Sequence, residues 1–386
     1  MTTKDIRILG LTLQPVANFR AEPHAKSTGL YAALDRRFSV VGVVQPELPP
    51  IEDYFNKLRH MHPDRVEWRA RIDLDPWAFK RRTVIAEQQL QNWHGQYDLI
   101  MQLHTLVAPG FSSPDRVYVL HTDNTYILSE RYYPKWAPLH GEQRNEWIAL
   151  ERKTYQQAAF LFPRSEFLRR SLIDDYGCDP DRVIRVGGGA NLAASSLEGK
   201  RYDSQVALFV GGDFERKGGE TLLAAWEIVH RELPEAQLWL VGPKHKVGAA
   251  TQGVHWFGKI ADRQVLADLY QRASVFVMPS DFEPWGHVFL EAMGYGLACI
   301  GTNHCAMPEI IEDGVTGRLV PPADPEPLAA ELIALLDNPR EAERMGRCAH
   351  QHVLMGHTWD DVVECMVPHI ETIASNSRYA GSALHL

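Results

Sequence analysis

The stretch SDFEPWGHVFLEAMGYGLACIGTNHCAMPEI, residues 280–310, guides the interpretation of the whole chain. It contains Glu283 and Glu291 with seven residues between them. Pro284 and Gly286 oppose helix formation around the first glutamate, whereas the run VFLEAM after His287 favours a helix that includes the second. A helix N-terminus presents unpaired N–H groups and a partial positive charge, which suit a phosphate or a hydroxyl group. The stretch therefore predicts one carboxylate in a loop at a helix mouth and another inside the helix, an arrangement that suggests a sugar-nucleotide site.

The composition narrows the class of protein. A length of 386 residues favours two domains, because single cores rarely exceed ~250–300 residues. The formal net charge of −9 argues against nucleic acid as the main partner. The N-terminus lacks a signal-peptide pattern, no apolar run is long enough to span a membrane, and the five cysteines form no CxxC pair. We expect a cytoplasmic protein with reduced thiols; the sequence does not indicate an oligomeric state.

The first half alternates apolar runs with helical patterns, which predicts a parallel sheet with helices. Strands are expected at 6–15, 38–46, 97–104, 116–123, 159–165 and 182–187. His104 and His121 fall at the carboxyl ends of two of these strands, where open parallel sheets bind ligands. The segment 129–138 carries Tyr132 and Trp136 and is either a partly buried loop or part of an acceptor-binding surface. His104 is equally open to a structural or an acceptor-side role.

The second half begins after a Gly-rich run, 187–205, which is the predicted domain boundary. The next strand ends in a turn with Gly211 and Gly212, followed by the adjacent cations Arg216 and Lys217. Neither the Walker pattern nor the GxGxxG pattern is present. Two cations before a helix nevertheless suit a diphosphate leaving group. Two further strands, within 236–245 and 253–260, end in loops that could form the walls of a base and ribose pocket, including Gly258 and Lys259.

The opening stretch resembles a known family. Its pattern PS-x-x-E-P-W-G-x-x-x-L-E-A-M-x-x-G (279–296) is similar to that of retaining glycosyltransferases with the GT-B fold, the large group that includes bacterial mannosyltransferases and sucrose and glycogen synthases. FVGGDFERKGGETLL (209–223) and DGVTGRLVPP (313–322) extend the resemblance. It implies an α/β protein with two Rossmann-like domains facing a central cleft and a C-terminal helix that crosses back. The expected acceptor domain is 1–190, the donor domain is 191–358, and the helix and tail are 359–386.

The resemblance also implies roles for particular residues. Glu291 is expected to bind the donor ribose, Glu283 the transferred sugar, and the backbone amides near Gly286, His287 and Val288 the sugar hydroxyls or phosphate. Arg216 and Lys217 would hold the diphosphate, and His121 is similar to a family histidine beside the donor sugar. The implied reaction, in glycan or other carbohydrate biosynthesis, moves a sugar from a nucleotide diphosphate to an acceptor hydroxyl with retention and without a metal or cofactor. The acceptor would be a glycan, a lipid-linked molecule or a small molecule.

The chain departs from the family pattern at three places. Gly212 stands where an arginine is common, residues 304–307 (HCAM) replace the usual Gly-Gly, and the loop 11–27 replaces a Gly-rich first loop. The last change suggests an unusual acceptor.

Several alternatives stay open at this point. Asp73 and Asp75 form a DxD pattern that some metal-dependent transferases have, and His287 with Glu291 has a spacing that could ligate zinc. The two glutamates could instead serve a glycoside hydrolase or a phosphorylase-like enzyme. An inactive sugar-nucleotide-binding subunit is the non-enzymatic alternative. The short basic runs 80–82 and 169–170 could contact the inner face of an anionic membrane.

Overall fold

The computed structural model describes residues 3–16, 18–20, 28–111, 113, 115–191, 196–244 and 252–382. The predicted first loop therefore lies partly outside the described residues, at 17 and 21–27. The chain forms two compact units. Unit 1 consists of Met1–Gly187 together with Trp359–Leu386, and unit 2 is Gly188–Thr358.

Unit 1 is built on a parallel sheet. Its elements before unit 2 are β1 (Arg7–Leu11), α1 (Gly29–Arg37), β2 (Ser39–Val44), α2 (Pro50–Arg59), α3 (Arg65–Asp73), α4 (Pro76–Gln91), β3 (Leu99–Leu103), β4 (Tyr118–Thr122), α5 (Tyr126–Tyr132), α6 (Gly141–Gln157), β5 (Phe160–Pro163) and α7 (Glu166–Asp174). In the described residues the strand order is β2-β1-β3-β4-β5, with parallel neighbours throughout. Strands β3 and β4 are buried along their whole length, as expected for a sheet covered on both faces.

Unit 2 follows the same principle. Its elements are β6 (Val206–Val210), α8 (Gly219–Glu232), β7 (Gln237–Val241), β8 (Val254–Gly258), α9 (Arg263–Arg272), β9 (Val275–Val277), α10 (His287–Gly294), β10 (Ala298–Thr302), β11 (Gly317–Val320), α11 (Pro325–Leu336) and α12 (Pro339–Gly356). Over the described part of this unit the sheet order is β11-β10-β9-β6-β7-β8, and all neighbouring strands are parallel. The predicted class, two parallel α/β sheets, is confirmed.

The last helix, α13 (Trp359–Ser382), belongs to unit 1 and takes up most of the segment predicted as helix and tail, 359–386. It packs against α1 and buries Val362, Met366 and Ile370 in the core of that unit. Gly29 makes this contact possible, since a Cβ at that position would lie 2.3 Å from Nε1 of Trp359. Over the described residues, no helix combines the length and apolar character needed to span a membrane.

The predicted strand at 182–187 is wrong. The segment forms an isolated bridge between Val183 and Leu161 instead of a continuous ladder. Arg182 is already part of the 3₁₀ turn Pro180–Arg182, and Gly187 adopts a left-handed conformation with φ +79°. Between these two points the N–H groups of Ile184 and Val186 donate to Leu161 O at 2.9 Å and to Pro163 O at 3.0 Å, so the segment runs beside β5 without completing a ladder.

Helices α2 and α3 lie in a segment for which the sequence patterns gave no assignment. Pro50 starts α2, and Asp64 caps α3 by accepting from the backbone N–H groups of two residues in its first turn. The spacing of Tyr54, Phe55 and Leu58 places them on one face of α2, and all three are exposed. The apolar period is present, but it does not mark a buried face.

The segment after β4 forms the helix α5, whereas a partly buried loop was one of the two predictions for residues 129–138. Thr125 caps α5 through its side chain, and the buried Glu151 accepts from the backbone N–H of Tyr126. The hydroxyls of Tyr155 and Tyr176 donate to the same carboxylate. Burial raises the pKa of Glu151 to about 7, although these hydrogen bonds oppose the shift. Glu151 is thus a buried carboxyl group that anchors the start of α5.

Candidate functional site

The carboxyl ends of β6, β7 and β8 are brought together by glycines. The N–H of Gly211 donates to Val241 O at 2.8 Å, and the N–H of Gly242 donates to Gly258 O at 2.7 Å. Gly242 has φ +111°, and a Cβ there would lie 2.4 Å from Gly211 O, so a larger residue would push the strand ends apart. A Cβ on Gly212 or on Gly258 would meet no atom within 4 Å. The structure thus places Gly211, Gly212 and Gly258 at one edge of the sheet, with the exposed Lys259 next to them.

The turn that carries the two cations packs directly on the loop after β9. Gly218 precedes α8 in a left-handed conformation with φ +70°, and a Cβ at this position would lie 1.8 Å from Pro279 O. The backbone N–H of Asp281 donates to Arg216 O at 3.0 Å. The local sequence ERKGG therefore fixes Arg216 and Lys217 against the segment that leads to Glu283.

Arg216, Lys217 and Glu283 form one buried ion cluster. Nη1 of Arg216 lies 3.3 Å and Nζ of Lys217 lies 3.7 Å from Oε2 of Glu283. Arg216 also contacts Oδ2 of Asp213 at 3.3 Å through Nε and donates to the backbone carbonyl of Phe282. Two carboxylates thus balance two cations. The structure thus brings together three of the four predicted catalytic residues. A diphosphate bound to Arg216 and Lys217 could replace the carboxylate of Glu283 or bind beside it.

The mouth of α10 holds the other predicted donor contacts. Gly286 is the N-cap residue, and His287 and Val288 begin the helix. Gly286 is required by packing, since a Cβ would lie 2.6 Å from the ring of Phe289. The imidazole of His287 is turned to the Gly-rich run, with Nδ1 3.0 Å from Gly189 O. Part of the predicted domain boundary therefore packs on the helix mouth and is not a free linker.

Glu291 has different neighbours from Glu283. The hydroxyl of Tyr270, from α9, donates to Oε2 of Glu291 at 3.4 Å. Burial, together with the nearby carboxylate, raises the pKa of Tyr270 well above its usual value, so its hydroxyl stays a donor. The two glutamates are thus held by separate sets of residues, as expected if they contact different parts of one ligand.

The segment 304–307 (HCAM), which differs from the family pattern, contacts the backbone of Glu283. Cys305 adopts a left-handed conformation with φ +53°, a position that favours glycine. The backbone of Glu283 hydrogen-bonds the sulfur of Cys305, and the backbone N–H of Ala306 donates to Glu283 O at 3.4 Å. Burial raises the pKa of the Cys305 thiol to about 12, which keeps it protonated. The HCAM segment therefore helps to hold the backbone of Glu283.

In unit 1 the sheet edge carries a second polar cluster. Nδ1 of His104 lies 3.3 Å from Oδ1 of Asp123, and Oδ2 of Asp123 lies 3.0 Å from Nη1 of the buried Arg164. The side-chain amide of Gln14 donates to Nε2 of His104 at 2.7 Å. These residues follow β1, β3, β4 and β5, so four strand ends contribute to the cluster.

His121 is fully buried beside this cluster. Its Nε2 lies 3.3 Å from Gly187 O, and its ring meets Trp359 of α13 edge to face at 6.1 Å. Burial lowers the pKa of His121 well below its usual value, and the positive charge of Arg164 acts in the same direction. The structure therefore holds a neutral imidazole at this strand end.

Tyr132 and Trp136 pack among other aromatic side chains of unit 1. The ring of Tyr132 lies 5.4 Å from Phe167 of α7, and Trp136 meets Tyr133 edge to face at 5.8 Å. Both are partly buried. Their acceptor-side role stays a prediction, because these contacts explain their placement without a ligand.

The aspartates of the DxD pattern, which could have indicated a metal site, have other partners in the structure. Among the described residues, no group of three or more His, Cys, Asp and Glu side chains is arranged to hold a metal ion. Asp75 caps α4 by accepting from the backbone N–H of Trp77 at 3.2 Å, and it pairs with Arg59. Asp73 ends α3 and lies near Arg69. The DxD pattern thus reflects a helix end followed by a helix cap.

The basic side chains of the runs 80–82 and 169–170 also have partners within the protein. Lys80 and Arg81 each pair with a glutamate, and Arg82 is buried and donates to a backbone carbonyl. Arg169 and Arg170 share one glutamate partner. The membrane contact assigned to these runs stays a prediction that their geometry does not favour.

Sequence reasoning missed several residues of the two clusters. Asp213, Tyr270, Cys305, Gln14 and Arg164 were not singled out as site residues, although all contact residues that were. Gln14 and Arg164 both lie near the carboxyl ends of predicted strands, so the rule that identified His104 and His121 could have found them. The contacts of Tyr270 and Cys305 depend on tertiary packing, which no local pattern reports.

Comparison with known proteins places the chain in a family. Residues 204–338 match the family described as "Glycosyl transferases group 1". D-inositol 3-phosphate glycosyltransferase 2 from Catenulispora acidiphila is 32% identical over 335 residues, which covers 79% of this chain and 78% of the relative. The chain spans about half the length of two other curated relatives that it matches, 50% and 47%.

Solved structures show the same fold. Sucrose-phosphate synthase from Thermosynechococcus elongatus has a TM-score of 0.64 at 18% identity and covers 98% of this chain and 100% of its own. Anabaena HepE in complex with UDP and glucose has a TM-score of 0.62 at 16% identity, with 96% and 100% covered. The GT-B fold predicted from the sequence is thereby confirmed. The chain belongs to the group 1 glycosyltransferase family.

Proposed function

We propose that this protein transfers a sugar from a nucleotide diphosphate to an acceptor hydroxyl, with retention at the anomeric carbon and without a metal. The buried cluster of Arg216, Lys217 and Glu283 carries the proposal. Cleavage of the sugar–phosphate bond leaves negative charge on the diphosphate. Two fixed cations at a strand end, beside the N-terminus of α8, suit that charge, and preorganised donors of this kind typically contribute ~3–4 kcal/mol each.

The assignment of the donor contacts follows from the arrangement in unit 2. Glu283 shares its carboxylate oxygen with both cations, so it lies next to the diphosphate and contacts the transferred sugar. Glu291 sits deeper in α10 and binds the ribose hydroxyls, with Tyr270 orienting its carboxylate. The glycine-lined ends of β6, β7 and β8 give room for the base. A nucleotide-sugar donor is further supported by the likeness to HepE, which was solved with UDP and glucose.

The metal-independent mechanism rests on the same two cations, which supply the positive charge that a metal would otherwise bring to the diphosphate. The assay is transfer activity in excess EDTA compared with activity in added Mg²⁺ or Mn²⁺. We expect equal rates. A loss of activity in EDTA that either metal restores would overturn this part of the proposal.

A glycoside hydrolase is the second candidate class. It needs two carboxyl groups directed at one scissile bond. Glu283 is instead bound by two cations and Glu291 by a tyrosine hydroxyl, so the two carboxylates have unlike partners. Sugar release into water at a rate that an added acceptor does not exceed would favour the hydrolase. Tight nucleotide binding without turnover would favour an inactive binding subunit.

The experiment that tests the proposal has two steps. A thermal-shift screen against UDP, GDP, ADP and their sugars identifies the donor, because a bound ligand stabilises the folded state by mass action. Lys217→Ala and Glu283→Gln are then compared with wild type in a transfer assay with that donor, and the anomeric configuration of the product is read by NMR. Near-wild-type turnover in both variants would refute the site, and an inverted product would refute retention.

A further inference from the structure

The polar cluster of unit 1 contains a histidine with an unusual backbone. His104 has φ +58°, in the left-handed region, which costs a non-glycine residue about 1 kcal/mol. The buried Gln102 holds this conformation, since its amide donates to His104 O at 2.8 Å and to Val107 O at 2.7 Å. The strained turn directs the imidazole to the end of the neighbouring strand, where Asp123 lies. Strain held by surrounding structure is typical of functional positions.

The partners of His104 fix its tautomer. Asp123 is 3.3 Å from Nδ1, so Nδ1 carries the proton, and Arg164 holds Asp123 from behind at 3.0 Å. Nε2 then presents a lone pair, which the Gln14 amide occupies at 2.7 Å. The charges of Asp123 and Arg164 balance each other. Nε2 therefore suits an uncharged hydrogen-bond donor and repels a phosphate group.

The imidazole is also within reach of a ligand. The His104 side chain is 21% exposed and Asp123 is 31% exposed, whereas Arg164 is buried. Gln14 lies in the loop after β1, and its backbone carbonyl is held by the amide of Gln45 at 2.7 Å, so its side chain can turn away while its backbone stays in place. A hydroxyl group can then take the place of the Gln14 amide.

We infer that His104 binds an uncharged hydroxyl of the acceptor through Nε2, with Asp123 and Arg164 as positioning residues and Gln14 as the group that the acceptor displaces. The inference rests on the proposed function. It assigns this subsite to a plain sugar or polyol hydroxyl, so any phosphate on the acceptor binds elsewhere.

Two amide substitutions test the inference. In His104→Asn the shorter side chain keeps an N–H near Asp123 but has no acceptor at the position of Nε2, whereas His104→Gln can place its oxygen there. With UDP-glucose or GDP-mannose as donor, and glucose, mannose and myo-inositol as probes, we expect His104→Asn to raise the acceptor KM about tenfold and His104→Gln about threefold at most. Gln14→Ala should lower the same KM about threefold, because the competing amide is gone. A purely structural role for His104 predicts no such improvement.

Donor hydrolysis without acceptor separates this inference from the proposed function. All three variants should bind the donor nucleotide as tightly as wild type, read by thermal shift, and should unfold at a similar temperature without it. An unchanged acceptor KM in His104→Asn, or no improvement in Gln14→Ala, would overturn the inference alone. Wild-type protein that hydrolyses donor but glycosylates none of the three probes also counts against it. Wild-type protein that neither hydrolyses nor transfers any donor would refute the proposed function, and the inference with it.

Discussion

Replacing Glu283 by glutamine tests the ion cluster most directly. The substitution keeps the shape of the side chain but removes one of two carboxylates that balance Arg216 and Lys217 in a buried setting. Removing one partner of a buried ion pair typically costs about 3–5 kcal/mol, because the remaining charge is left uncompensated. Arg216 retains Asp213, so we expect the lower end, about 3 kcal/mol. For a unit of this size that corresponds to a melting temperature lower by about 6–12 °C.

A nucleotide diphosphate should restore part of this loss. Its charge replaces that of the missing carboxylate, so UDP or GDP should stabilise Glu283→Gln by about 1.5 kcal/mol more than it stabilises wild type. Calorimetry with and without the nucleotide measures both effects. Glu291→Gln is the matched control: it makes the same chemical change eight positions along the chain, at a carboxylate that accepts from the hydroxyl of Tyr270. Loss of a hydrogen bond to a charged group is a smaller effect, so we expect a cost of about 1 kcal/mol. If Glu283→Gln melts like wild type, or if the nucleotide stabilises both proteins equally, the reasoning about the cluster fails.

Three further outcomes are expected. Gly218→Ala should unfold unit 2 or abolish nucleotide binding, since its Cβ would lie 1.8 Å from a backbone oxygen; Gly258→Ala has a similar φ of +64° but open space, so it should cost only about 1 kcal/mol in chemical denaturation. The raised pKa of Glu151, about 7, means that the folded state holds more protons than the unfolded state between pH 4.5 and 7. This one group should therefore lower the free energy of unfolding by about 3 kcal/mol as the pH rises through this window. Urea titrations should show that contribution as the difference between wild type and Glu151→Gln. The basic runs 80–82 and 169–170 should not bind the protein to anionic liposomes. In a sedimentation assay the protein should stay in the supernatant at both low and moderate salt.

The fold was more predictable from the sequence than the contacts within the site. Strands such as β3 and β4 were predictable because continuous apolar runs require burial on both faces. The spacing of Tyr54, Phe55 and Leu58 carries the same kind of signal for helix α2, but the sequence does not show that this apolar face is exposed. The strand predicted at 182–187 was wrong because the segment, bounded by a 3₁₀ turn and a left-handed glycine, makes only one bridge to β5.

For the site, residue types and strand ends indicated which side chains to consider. Glu283 and the two cations were identified from separate stretches, and their meeting in one cluster required tertiary structure. The contact between Tyr270 and Glu291, and the strained backbone of His104, leave no trace in a local pattern. The roles proposed for Glu291 and His104 stay predictions, as do those of Tyr132 and Trp136.

The helix α13 has a consequence for the order in which the chain folds. Unit 2 is continuous in sequence, whereas unit 1 is completed by residues that follow it. The core of unit 1 includes Val362, Met366 and Ile370, so α1 lacks its packing partner until those residues have left the ribosome. We expect nascent chains stalled with residue 358 exposed to show unit 2 resistant to protease and unit 1 still susceptible. The half of the protein made first would thus be the half that folds last.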